Sequence, residues 1–360
     1  MESYITSNDY KHKVKHTYFK KRKKQFNQII GEKNYKFIND YQIIYTCPQC
    51  NKKSELYIGF LKLRIYRYDT DICIHCNPKN LRNSGKELEL LKWIKSLGLT
   101  VESNFRLKNN KEIDIFIPEK NIGIEFNGLY WHSDIYKDKN YHLNKLKCAE
   151  EEKIKLINIW EDDWNFNKNL VKSMIRNKLG LNEIKIFARK TEIKEVNSSE
   201  AREFLNNNHL QGYSSSSIKL GLYYEKELVS LMTFGKRKIT GVIQHELIRF
   251  ANKQNISVVG GASKLFKFYK KYNFDKIISY ANRDISNGDL YIILGFKLVK
   301  TVSPGYWWFK GNNKYNRVNF QKHKLIEKGF DKNKTEDEIM REQGYCKIWG
   351  TGNLKFEYIN

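Results

Sequence analysis

The chain has 360 residues, with 65 Lys and Arg against 40 Asp and Glu, a formal net charge of +25. Apolar residues make up 40 % and aromatic residues 14 %, so the chain holds material for about two to three folded domains and is not disordered throughout. No apolar run approaches the roughly 20 residues of a membrane-spanning helix, and residues 1–40 lack a secretory core. The expectation is a cytoplasmic, multidomain α/β protein with no membrane partner. Its cationic surplus attracts polyanions, and double-stranded DNA is the expected partner.

Residues 1–40 read as a basic arm. The run Lys20, Lys21, Arg22, Lys23 and Lys24, interrupted nearby by Tyr18, Phe19 and Phe26, suits docking on DNA phosphates. Residues 41–79 carry Cys47-Pro-Gln-Cys50 and Cys73-Ile-His-Cys76, separated by 22 residues. Each pair lets two thiolates reach one ion from a tight turn, and two such turns close a tetrahedron. A structural Zn²⁺ is expected. The intervening Leu56, Ile58, Phe60, Leu63 and Ile65 suggest the hairpin of a zinc ribbon. Cys148 and Cys346 have no partner pattern.

Residues 80–182 begin with an amphipathic helix over 84–98, with Leu88, Leu91, Ile94 and Leu97 on one stripe and Gly98 as its stop. Two strands follow, Ile113–Ile117 and Ile122–Phe126, joined by Pro118-Glu-Lys-Asn121. A helix over 141–153, a strand at Lys155–Trp160 and a helix over 168–179 complete the segment. Strand parity puts Asp114 on one face of the hairpin, opposite Ile113, Ile115 and Ile117. It puts Glu125 and Asn127 opposite Ile122, Ile124 and Phe126. Asp114, Glu125 and Asn127 therefore converge if the strands pair. Two carboxylates on a sheet suit Mg²⁺, and Glu87 on the preceding helix adds a further oxygen. His132, just after the second strand, can serve as general base toward water. The reaction expected of such a set is metal-dependent hydrolysis of a phosphodiester.

This segment resembles the very-short-patch-repair (Vsr) endonucleases and related phage homing endonucleases, whose core is a variant of the PD-(D/E)xK fold. Asp114 matches the family's metal-binding Asp. Asn127-Gly-Leu-Tyr-Trp-His132 matches a His-Gly-Cys-Phe-Trp-His stretch, which places His132 on the water-activating histidine and Asn127 where the repair enzymes carry a second one. Trp160-Glu161 resembles the family's strand end, and Ser84-Gly-Lys-Glu87 its helix-borne Glu motif. The resemblance implies a restriction-endonuclease-type α/β/α core, a DNA endonuclease of the homing type or, alternatively, a mismatch-nicking repair endonuclease, and phosphate contacts from His142 and Lys145.

Residues 186–325 read as a second α+β domain, with strands at Ile218–Tyr224, Leu228–Phe234 and Lys276–Ala281. Val259-Gly-Gly-Ala262 opens a helix over 263–272. With Glu246-Leu-Ile-Arg249 and Tyr291-Ile-Ile-Leu-Gly295-Phe296, this order resembles the GNAT-type acyltransferases. In that fold a Gly-containing loop at a helix start binds a pyrophosphate. Two uses are implied: an acyltransferase taking acetyl-CoA beside a nucleic-acid-binding N-terminal half, or a scaffold reused for DNA through Lys236, Arg237, Lys238, Lys264, Lys267, Lys270 and Lys271. Tyr306, Trp307 and Trp308 are aromatic enough to stack on splayed bases or to fill a hairpin core. Residues 326–360 read as a tail.

Overall fold

The computed structural model describes residues 27, 30–39, 42–58, 61, 72–76, 85–239, 242–272, 274 and 276–359. The basic run Lys20 to Lys24 lies outside them, as do the side chains of Arg237 and Lys238. The chain forms two compact units, residues 1–93 and 94–360.

The first unit contains a three-stranded antiparallel sheet: β1 (Tyr35–Asn39), β2 (Gln42–Thr46) and β3 (Lys53–Tyr57). Ile43, Tyr45, Leu56 and Ile58 alternate into a small core that also takes Cys47 and Cys73. The hairpin thus carries Cys47 and Cys50 at its tip. It does not lie between the two cysteine pairs as the sequence suggests, and Phe60, Leu63 and Ile65 are outside the described residues. Helix α1 (Gly85–Lys95) ends the unit, burying Glu87, Leu90 and Leu91.

The second unit opens with a four-stranded sheet of β4 (Glu102–Arg106), β5 (Glu112–Ile117), β6 (Ile122–Asn127) and β7 (Lys155–Trp160), in that spatial order. The β5–β6 hairpin is tight because Asn121 accepts a left-handed conformation at φ 49° after the Pro118 turn. Helix α2 (Tyr141–Glu151) crosses over so that β7 runs parallel to β6. Helices α3 (Glu161–Phe166) and α4 (Lys168–Leu179) follow, and Gly180 closes α4 at φ 75°.

Next come β8 (Ile184–Phe187), β9 (Glu192–Glu195), α5 (Ser198–Asn208), β10 (Ile218–Tyr224), β11 (Glu227–Ile239), β12 (Val242–Asn252) and β13 (Ile256–Val259). They are followed by α6 (Gly261–Tyr269), β14 (Lys276–Asn282), α7 (Asp289–Ile293) and β15 (Lys297–Val302). The remainder is β16 (Tyr306–Lys310), β17 (Asn313–Asn316), α8 (Lys322–Glu327), α9 (Glu336–Glu342), β18 (Cys346–Trp349) and β19 (Asn353–Ile359). Seven strands form one sheet in the order β15-β19-β14-β12-β11-β10-β9. Leu222, Met232 and Phe234 share a core with Leu265 and Phe266 of α6, while Leu228 and Leu231 pack with Phe204 and Leu205 of α5. Helices therefore flank both faces.

The last 35 residues are not a tail: β19 is an interior strand of this sheet, paired with both β14 and β15. β16, β17 and β18 make a separate small sheet. Trp308 packs from it onto Leu325, Ile339 and Met340, while Phe309 and Ile348 pack on Leu129 and Trp160. Asp284 ties these parts together, accepting from Trp160 Nε1 at 3.2 Å and from Thr351 N at 3.0 Å.

Candidate functional site

The four cysteines of the first unit converge. Cys47 Sγ lies 3.7 Å from Cys76 Sγ, Cys50 Sγ lies 3.6 Å from Cys73 Sγ, and all four sulfurs fall within 4.8 Å of one another. Tetrahedral Zn²⁺ with Zn–S near 2.3 Å places its sulfurs about 3.8 Å apart, so this thiolate set fits the ion. Among the described residues this is the group of three or more His, Cys, Asp or Glu whose donor atoms come close enough to share a metal.

In the second unit, pairing of β5 with β6 brings Asp114 and Glu125 together. Phe126 N donates to Asp114 Oδ2 at 2.7 Å, and Asp114 N donates to Glu125 Oε1 at 3.4 Å. Lys145 reaches down from α2 and donates to Glu125 Oε2 in a buried ion pair. Burial, then the Asp114 carboxylate, push the Glu125 carboxyl up, against the pull of Lys145. Burial also raises Asp114. His132 Nδ1 lies 3.4 Å from His142 Nε2, with the two rings stacked. Burial depresses both histidines, His142 to about 3, so both are neutral at pH 7. Asn127 donates to Oδ1 of Asn158, the residue in register with Glu125 on β7, at 3.0 Å. Glu87 is buried in the first unit's helix.

Asp114 Oδ2 and both Glu125 oxygens are engaged by two backbone amides and one ammonium, and among the described residues the two carboxylates belong to no group of three or more His, Cys, Asp or Glu donors close enough to share a metal, so the geometry lends the expected Mg²⁺ no support. Lys145 and His142, expected at phosphates, are buried against Glu125 and Trp160. The sequence reading did not pair Lys145 with Glu125. The one available signal was the 20-residue separation across a strand and a helix, which says nothing of side-chain reach.

A different feature lies in the seven-stranded sheet. Among the described residues β12 and β14 pair in parallel at His245–Ile277 and Glu246–Ile278. One residue further, Ser279 Oγ donates to Leu247 O at 2.8 Å, and past it no register pair joins the described residues of the two strands. Tyr291 of α7 sits beside the crevice between them, its hydroxyl donating to Tyr280 O at 3.4 Å. Burial raises its phenol, with Ser279 and Arg249 pulling it down and Glu246 pushing it up. Gly260, at φ 77°, and Gly261 open α6. A Cβ on Gly261 would meet Val258 Cγ1 at 2.9 Å, so the close turn requires glycine. Lys264 folds back from the first turn of α6 onto Ala188 O and Thr191. Lys236, Lys267, Lys270 and Lys271 are exposed. His209 accepts from Gln211 N and is a satisfied polar residue. Trp308 is fully buried, while Tyr306 and Trp307 are half-buried.

Comparison with solved structures returns acetyltransferases. One from Bacillus subtilis, in complex with CoA, is 14 % identical over 48 % of this chain and 99 % of its own, with a TM-score of 0.29. A GNAT family acetyltransferase from Elizabethkingia anophelis with acetyl-CoA bound is 11 % identical over the same shares, with a TM-score of 0.29. A probable acetyltransferase from Staphylococcus epidermidis is 13 % identical over 47 % of this chain and 99 % of its own, with a TM-score of 0.27. No family model matches the chain, and no curated protein matches it. The expectation of a DNA endonuclease is corrected: the solved structures that match are acetyltransferases. No helix among the described residues is long and apolar enough to cross a membrane.

Proposed function

We propose that the seven-stranded sheet carries an acyltransferase domain that takes acetyl-CoA, joined to an N-terminal half that binds nucleic acid. The observation that carries this reading is the end of register pairing between β12 and β14. In open α/β sheets ligands enter crevices at the carboxyl ends of adjacent parallel strands. Here those ends are Leu247–Asn252 and Ser279–Asn282, whose backbone groups do not pair with each other. Main-chain N–H and C=O groups seek partners, and an amide-bearing pantetheine arm offers them. The Gly260-Gly261 turn leads into α6, whose first-turn N–H groups suit a pyrophosphate. Acetyl-CoA supplies the activated thioester. Tyr291, beside the crevice, holds a proton suited to a departing thiolate, and Glu246 is the acid on the last paired rung. The +25 charge supports the nucleic-acid partner.

Calorimetric titration of acetyl-CoA into the full chain tests the reading. One molecule should bind per chain. Ser263→Glu, at an exposed first-turn position of α6, should weaken binding about tenfold by placing a carboxylate against the pyrophosphate. The same charge favours a helix N-terminus, so the melting temperature should hold or rise. Absence of binding by the unsubstituted chain overturns the proposal.

A further inference from the structure

The second unit contains a cavity of about 520 Å³ that adjoins the crevice described above, since Arg249 of β12 and Asn282 of β14 line it. Its walls come from three sheets: Asn158 and Trp160 of β7, Arg249 of β12, and Trp307 and Lys314 of β16 and β17. That volume is in the range of small-ligand sites.

Three carboxylates and two cations line the cavity, and each has a partner; Arg249 donates to Gly212 O at 3.1 Å and to Ile248 O at 2.9 Å. Lys314 Nζ lies 3.2 Å from Asp162 Oδ1 and 3.4 Å from Asp163 Oδ2. It also covers the Trp160 and Trp307 rings, at 4.9 and 5.2 Å from their centroids. Asp284, a further wall residue, accepts from Thr351 N, Thr351 Oγ1 and Trp160 Nε1. Asp162 Oδ1 has only the Lys314 ion pair, and an anion faces three carboxylates. The uncharged wall groups are a half-buried indole and an amide. Asn158 is 3 % exposed and gives its Oδ1 to Asn127, and its Nδ2 has no partner. Asn127 Oδ1 has none either. Turning both amides over leaves the same pair of unmade bonds with the roles exchanged.

We propose that this cavity binds a nucleobase presented by an unpaired strand, with Trp307 stacking on the base and the Asn158 amide reading its edge. A nucleobase is planar, uncharged and carries donors and acceptors on one edge, so it meets each feature of the site. Stacking on aromatic side chains is a sequence-tolerant source of single-strand affinity, and the chain's positive charge draws in the backbone. DNA and RNA share this chemistry. The site borders the acyl-CoA crevice at Arg249 and Asn282, so its test is run without CoA and its failure is distinguishable from failure of acetyl-CoA binding.

The probe is a short single-stranded oligonucleotide, as DNA and as RNA, carrying one 2-aminopurine; a duplex of the same sequence is the control. Binding to the full chain should quench the 2-aminopurine. Trp307→Ala should weaken single-strand binding about tenfold and leave duplex binding unchanged, while Trp307→Phe should retain most of the single-strand affinity. Quenching with DNA, RNA or both supports the site and names its source. No quenching by the unsubstituted chain overturns it. Equal loss on single strand and duplex in Trp307→Ala overturns it, as does displacement of the probe by a simple alkylamine. Should Trp307→Ala fail to fold, the quench in the unsubstituted chain and in Trp307→Phe decides the matter.

Discussion

Asp114, Glu125 and Lys145 form a buried triad with two acids and one base. Two carboxylates at this range do not both ionise readily in a buried site, and one ammonium neutralises one of them. Glu125 therefore carries a folded-state value raised to about 8, against an ordinary value of 4.5. The folded Asp114–Glu125 pair shares a proton that the unfolded chain has released, so this term stabilises the fold at low pH and fades as pH rises through the folded value. Between pH 6.5 and 8 the depressed histidines His132 and His142 stay neutral and do not offset it. Stability should fall across that window, by at most about 1.4 kcal/mol per pH unit for one proton. Asp114→Asn removes the neighbouring charge and keeps an acceptor for Phe126 N, so it should flatten the slope. Denaturant titrations at several pH values compare the two chains, and an unchanged slope would sink the account. The convergence of Asp114 and Glu125 was legible from strand parity. Lys145 was not, because its reach depends on how α2 packs.

Elements were legible where one face alternates and a turn residue marks the end. The strands at Ile122–Phe126 and Lys155–Trp160, and the helix closed by Gly180, follow from the sequence pattern. β12 escaped because Gln244, His245, Glu246 and Arg249 break its apolar rhythm, although it is a long interior strand. β19 escaped because a strand near the end of a charged segment shows its neighbours only after folding. Its place in the sheet is testable at Gly288. That residue sits at φ 84° before α7, and a Cβ there would come 2.4 Å from Cζ of Phe356, a buried β19 residue. Gly288→Ala should cost about 2–4 kcal/mol, from the left-handed conformation and from overpacking. A melting temperature within a degree of the unsubstituted chain would show that β19 does not pack here.

The two units differ in what holds them. The second buries large cores on both faces of its main sheet and on the small sheet around Trp308. Among the described residues the first unit has one small core, and two of its members are the cysteines Cys47 and Cys73. A zinc ion held by the four thiolates would add to that core the free energy that small metal-bound modules depend on. The spacing of the two cysteine pairs made the ion legible in the sequence, since the chemistry of four thiolates needs no tertiary context. Metal analysis should find one zinc per chain. A strong chelator should then strip hydrogen-exchange protection from residues 42–57, the β2–β3 hairpin, and leave β10, β11 and β14 protected. Protection of the hairpin that survives removal of the metal would mean its core is sufficient alone. Simultaneous loss in both units would mean that the zinc supports the whole chain and not the first unit by itself.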